Sequence, residues 1–223
     1  MQRRILSLCI AVALALAINP ARAADEGNES DIGPIEDLMR EHGVLRRVLL
    51  IYEEGLRRIA AHQDYAGNPF LTGAQLIRRF IEDYHEKNEE KFIFPKLQKA
   101  GGEAGRDVAI LLEQHQAGRK LTDEIIRVAA INAKDNRLVD PATQFIRMYR
   151  PHAAREDTIV FPAWKSTMNK HQFEEISDLF EDIEHKTFGA DGFEEAEHSI
   201  SQVESSLGLS DIAQFTPAPP PKP

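Results

Sequence analysis

Cysteine is nearly absent from this sequence. The one Cys in 223 residues is Cys9. It lies in an N-terminal apolar run whose flanks mark it for removal, so the mature chain has neither thiol nor disulfide. That excludes thiolate-bound iron–sulfur clusters, and the missing C-x-x-C-H excludes covalent c-type haem. Basic residues are also in short supply: 27 Lys and Arg stand against 36 Asp and Glu, for a net charge of −9. Removing residues 1–23 takes away Arg3, Arg4 and Arg22 and no acid, leaving −12. Such a chain repels nucleic acid and anionic membrane, so neither is expected as a partner. Apolar runs long enough to span a bilayer are missing as well, since Ile5–Ile18 falls short of the roughly 20 residues a spanning helix needs. There is no glycine-rich nucleotide loop and no nucleophile–base triad.

The first 23 residues read as a secretory signal peptide. Met1-Gln2-Arg3-Arg4 is basic, Ile5–Ile18 is apolar, and Ala21-Arg22-Ala23 is an A-x-A cleavage signal. The expected location is the periplasm. Residues 24–33 read as a polar linker.

Helical periodicity dominates from there on. Ile35, Leu38, Leu45, Leu49, Tyr52, Leu56 and Ile59 step by three and four, and His42 fills the one gap in the stripe. After a loop over residues 63–70, Thr72-Gly73-Ala74-Gln75 resembles a capping box. It opens a second helix with Ile77, Ile81, His85, Glu89 and Phe92 on one face. A third helix, from about Glu103 to Ile131, carries Val108, Leu111, His115, Gly118, Thr122, Ile125 and Ala129. Asp140-Pro141 reads as an N-cap and first-turn proline for a fourth, with Phe145, Met148, His152, Glu156 and Ile159 on its stripe. Pro151 is expected to kink it. The expected fold is all-α: an antiparallel up-down four-helix bundle over residues 34–165. Two extra helices, about 167–186 and 192–207, are expected to pack outside it, with residues 209–223 an unfolded Pro-rich tail.

The buried stripes carry an unusual load. Four of the eight histidines, one per helix, face inward. Glu89 and Glu156 follow His85 and His152 by four residues, which returns each to its histidine's face. A buried carboxylate is costly unless paired or coordinated. The candidate metal ligands are therefore His42, His85, Glu89, His115, His152 and Glu156. Four imidazoles and two carboxylates exceed what one tetrahedral zinc requires. They suit two metal ions of the iron or manganese kind, with zinc and copper left open. His62, His171, His185 and His198 lack this context and read as surface residues. His85-Glu86-Lys87-Asn88-Glu89 is no H-E-x-x-H protease helix, because Glu89 replaces the second histidine. The His-x-x-x-Glu order also differs from the Glu-x-x-His of ferritin-like bundles.

The pattern repeats. Glu41-His42 precedes His85-x-x-x-Glu89 with Phe94-Pro95, and Glu113-Gln114-His115 precedes His152-x-x-x-Glu156 with Phe161-Pro162. A pseudo-two-fold axis through the bundle is expected. With these motifs the chain, from Ile35 to Trp164, resembles the hemerythrin superfamily in its HHE cation-binding branch. The resemblance implies two non-haem iron ions bridged by Glu89, Glu156 and an oxo or hydroxo group. His42 and His85 would hold one ion, and His115 and His152 the other; manganese or zinc ranks below iron. Two positions depart from the oxygen-carrying hemerythrins. Arg119 stands where they have a further histidine. Their last carboxylate is an Asp five residues after the fourth-helix His, which makes Asp157 an alternative to Glu156. The implied partner is a small diatomic molecule (O2 or NO) or peroxide, bound or sensed. The alternatives are an enzyme that decomposes peroxide or acts in oxidative and nitrosative stress defence, and iron storage or delivery. Tyr84 and Tyr149, each close in sequence to a candidate histidine, are candidate hydrogen-bond or proton donors.

Overall fold

The computed structural model describes residues 33–189 and 192–220. The signal peptide and most of the linker inferred from the sequence lie outside them. Among the described residues there are no strands, and no helix is long and apolar enough to cross a membrane.

Four long helices form the bundle. Helix α1 is Pro34–Ala60, α2 covers residues 69–100, α3 is Gly102–Ala129 and α4 covers residues 139–165. The apolar residues sort into two separate clusters. One holds Leu38, Phe94, Leu111 and Phe161, and the other holds Leu45, Ile81, Ile125 and Phe145. Along α1 and α3 the first cluster is met before the inward histidine; along α2 and α4 it is met after it. Neighbouring helices therefore run in opposite directions, and the polar stripe residues form a layer between two apolar ones.

Some helix starts differ from the sequence reading. Helix α2 opens at Pro69, where Asn68 accepts a hydrogen bond from the Leu71 N–H, so Asn68 caps the helix and Thr72 lies inside it. Helix α4 is led in by a 3₁₀ turn, Asn136–Leu138, capped by Asp135, which leaves Asp140-Pro141 within its first turn. It also runs on through Pro151 as far as Arg155. The irregularity comes later, as a π-helical turn over Glu156–Val160. Helix α2 has two such stretches, Ile77–His85 and Glu89–Ile93.

The wide turns before the two Phe-Pro pairs have a local cause. Proline cannot donate to the carbonyl four residues back, and its ring crowds that carbonyl. Ahead of Pro95 and Pro162 the last donors reach back five residues instead, from the Phe94 N–H to the Glu89 carbonyl and from the Phe161 N–H to the Glu156 carbonyl. Each wide turn begins at a glutamate of the polar layer.

Helices α5 (Lys170–Phe188) and α6 (Gly192–Leu207) complete the fold. Phe180 of α5 stacks on the buried Trp164, and α6 buries Ala196, Ile200, Val203 and Leu207 in one of the two cores. Arg47 of α1 is bidentate to Glu204 and also donates to Ser201 on α6. The segment after α6, read from sequence as unfolded, buries Leu209 and forms a short 3₁₀ turn over Ile212–Phe215.

Candidate metal centre

All six residues singled out by sequence meet in the middle layer, buried. Their inward atoms fall into two groups: His42, His85 and Glu89, and His115, His152 and Glu156. The ligand atoms of each group lie within 4.8 Å of one another. Each carboxylate touches both groups. Glu89 Oε1 is 3.5 Å from His85 Nε2, while its Oε2 is 3.4 Å from His115 Nε2. Glu156 Oε2 is 3.0 Å from His152 Nε2 and 3.4 Å from His42 Nε2. The Nε2 atoms of His42 and His85 are 3.0 Å apart.

All four histidines turn Nε2 inward and use Nδ1 outward. His42 Nδ1 donates to Asp157 at 2.7 Å, His85 to Glu41, His115 to Glu90 at 3.1 Å and His152 to Gln114 at 2.8 Å. An outward Nδ1–H fixes the tautomer and leaves the Nε2 lone pair facing the centre. The four outer partners follow the pseudo-two-fold relation. Glu41 and Gln114 each precede a histidine of the odd-numbered helices and support the histidine of the next helix. Glu90 and Asp157 each follow a central glutamate and support the odd-numbered helix's histidine. Asp157 thus backs His42 and pairs with Arg46, while Glu156 faces the centre.

The electrostatics fit a cation. Burial opposes charge on His42, but the hydrogen bond to Asp157 and the nearby Glu156 carboxylate outweigh it and raise its pKa above the ordinary 6.5. His85 is raised further: burial again opposes, against the charge of Glu89 and the bond to Glu41. His115 is also raised, chiefly by Glu90 against its burial. Burial pushes the Glu156 carboxyl up, yet His152 and His42 together hold it well below its ordinary value. The sharpest sign is unmet hydrogen bonding. Both oxygens of Glu89, both of Glu156 and Nε2 of His115 are buried with no hydrogen-bond partner. Leaving such groups unmet costs about 1–3 kcal/mol each, more for charged ones. Bound metal would satisfy them together, so the residues present fit a metal site.

The sequence reading overlooked a second polar cluster beside the first. Glu86 is buried, accepts from the Tyr149 hydroxyl at 2.6 Å, and pairs with Arg119 at 2.6 Å. Arg119 also donates to Glu90 at 2.7 Å. The guanidinium of Arg119 is thus held between two glutamates of α2. One turn along α2, Glu82 is buried too, accepts from Thr122 at 2.6 Å, and is pushed by burial to a pKa of about 7. The available signal was the four-residue spacing of Glu82, Glu86 and Glu90, which puts three acids on one helical face. Of the two tyrosines, Tyr149 joins this cluster, whereas Tyr84 packs among Phe80 and Phe188. His62, His171, His185 and His198 are exposed.

Comparison with known proteins agrees with this architecture. Residues 33–164 match the hemerythrin HHE cation binding domain. An uncharacterized protein of Mycobacterium bovis is 47% identical over 189 residues, covering 82% of this chain and 73% of that protein. An uncharacterized protein of Mycobacterium tuberculosis strain H37Rv matches to the same extent. No solved structure matches the chain.

Proposed function

Because the chain belongs to the hemerythrin HHE cation-binding family, we propose that it is a non-haem di-iron protein that binds or senses O2, NO or peroxide. In this reading His42 and His85 would hold one ion, His115 and His152 the other, and Glu89 and Glu156 would be shared between them. The observation that carries it is the set of four carboxylate oxygens without a hydrogen-bond partner, buried among four inward Nε2 atoms. Bound iron would supply the electrons and the Lewis acidity that such ligands need. The protein's own share is to fix the imidazoles through their Nδ1 partners and to exclude bulk water with apolar layers on both sides.

A second reading, peroxide decomposition, is favoured by the Tyr149–Glu86–Arg119 cluster beside His115 and His152. It sets a buried hydroxyl, a carboxylate and a fixed cation near the centre, groups suited to holding a proton or polarising a peroxide oxygen. The start of the sequence supports a periplasmic setting for either activity.

Metal analysis of the purified protein tests the first reading, with two irons per chain expected. Saturation at a single metal overturns the dinuclear assignment. Absorption spectra with azide, NO and peroxide then separate the readings. A stable, reversible complex supports binding or sensing, whereas repeated consumption of peroxide supports the enzyme.

A further inference from the structure

The two halves of the centre look alike only at their inner surface. His85 is backed by Glu41 and His42 by Asp157, so both histidines of the first group donate to a carboxylate. One cation, Arg46, shares that negative charge, through Asp157. In the second group His152 is backed by the neutral amide of Gln114. His115 is backed by Glu90, whose charge is already divided between Lys87 at 2.8 Å and Arg119 at 2.7 Å. A carboxylate behind a metal-bound imidazole makes it a stronger donor, and changes in that outer shell typically alter metal affinity by about 10–100-fold. The Arg119 guanidinium lies on the second side, shared between Glu90 and the buried Glu86.

Access differs in the same direction. A cavity of about 260 Å³ opens between α3 and α4, lined by residues that include Ile110, Gln114, Pro151, His152 and Arg155. It reaches the outer edge of a second-group histidine. The cavity on the α1–α4 seam touches Tyr149 but none of the six central residues.

We propose that the two metal positions are unequal: His42, His85 and Glu89 form a retaining position, while His115, His152 and Glu156 form an exchangeable one, reached through the α3–α4 cavity. Gln114 sets the difference as a positioning residue behind His152. The inference rests on the dinuclear reading above.

The test is metal release from the iron-loaded full chain into excess EDTA, followed by iron content against time. Two phases of equal amplitude are expected, about tenfold or more apart in rate. Gln114→Glu, at a half-buried position, should slow the fast phase about tenfold and leave the slow one unchanged. Glu41→Gln, a buried isosteric change, should speed the slow phase and leave the fast one. Azide should bind the half-depleted protein far more weakly than the full one. A single release phase overturns the inference, as does a Gln114→Glu variant that alters only the slow phase or neither. A chain that takes up fewer than two irons defeats the dinuclear reading itself.

Discussion

Phe161 lies stacked on His42, with ring centroids 5.4 Å apart and planes at 24°. Phe94 lies on His115 in the same manner, at 5.5 Å and 28°. Each phenylalanine ends the wide turn that starts at a central glutamate and comes just before the proline that requires the turn. The repeated Glu-x-x-x-x-Phe-Pro segment therefore does three things in one stretch. It supplies a central carboxylate, places the next residue behind a histidine across the interface, and covers that histidine's face with a ring.

Phe161→Ala should cost about 3–5 kcal/mol of stability, as expected for an aromatic deleted from a packed core, and should weaken metal retention at His42. Phe161→Leu should recover most of the stability but not the retention, since a branched chain fills the space without the stacked face. Urea unfolding and iron content of the two variants check this. Equal retention in Phe161→Leu and the parent would show that the ring does not orient His42.

The repeat was visible in the sequence because ligand chemistry and helical spacing are both local. A His and a Glu four residues apart share a face whatever surrounds them, and an inward His interrupts an apolar stripe in plain sight. What surrounds them was not visible. Asp157 was read as a rival to Glu156 because the oxygen-carrying hemerythrins have their last carboxylate five residues after the fourth-helix His. Only the packing of α4 against α1 gives Asp157 its place behind His42. Glu86 was passed over because its neighbours, Tyr149 and Arg119, come from two other helices. The wide turns ahead of Pro95 and Pro162 were hidden as well, since both helices continue past these prolines.

Gly118 is fixed by Tyr149. A Cβ at position 118 would lie 2.1 Å from the Tyr149 hydroxyl oxygen, so the ring that donates to Glu86 fits only over a glycine. Gly118→Ala should destabilise the protein by about 1–3 kcal/mol through overpacking, despite alanine's better helix propensity. Adding Tyr149→Phe should relieve part of that cost. Thermal unfolding of the two single variants and the double variant measures the coupling. Strictly additive effects would mean that the hydroxyl does not set the constraint.

Arg119 is held by Glu86 and Glu90, with only 21% of its side chain exposed. Arg119→Met would strand the buried Glu86, and breaking a buried pair from one side costs about 3–5 kcal/mol. Glu86→Gln in the same chain should restore a good part of it. Arg119→His should behave mainly as a lost ion pair, not as an added ligand. A double-mutant cycle in urea measures the pair. An Arg119→His variant that gains metal affinity without losing stability would show instead that position 119 can turn to the centre.

The pH dependence should reverse between metal-free and metal-loaded protein. In the metal-free chain His42, His85 and His115 have pKa values raised above 6.5. Their protonated forms therefore favour the fold, fully so below the unfolded value near 6.5, and that contribution is lost as pH rises through the folded values. Glu156 is shifted downward, so its contribution is in place above its ordinary 4.5 and fades only in strong acid, outside this window. Metal binding needs neutral imidazole, so protons compete with it increasingly as pH falls below those raised values. The melting temperature of metal-free protein should fall from about pH 6.5 upward, while that of loaded protein holds or rises. The gap between them should nearly close at pH 5. Melting curves of both forms from pH 5 to 9 decide the matter: a metal-free curve that stays flat above 6.5 would mean that those histidines are not charged when the metal is gone.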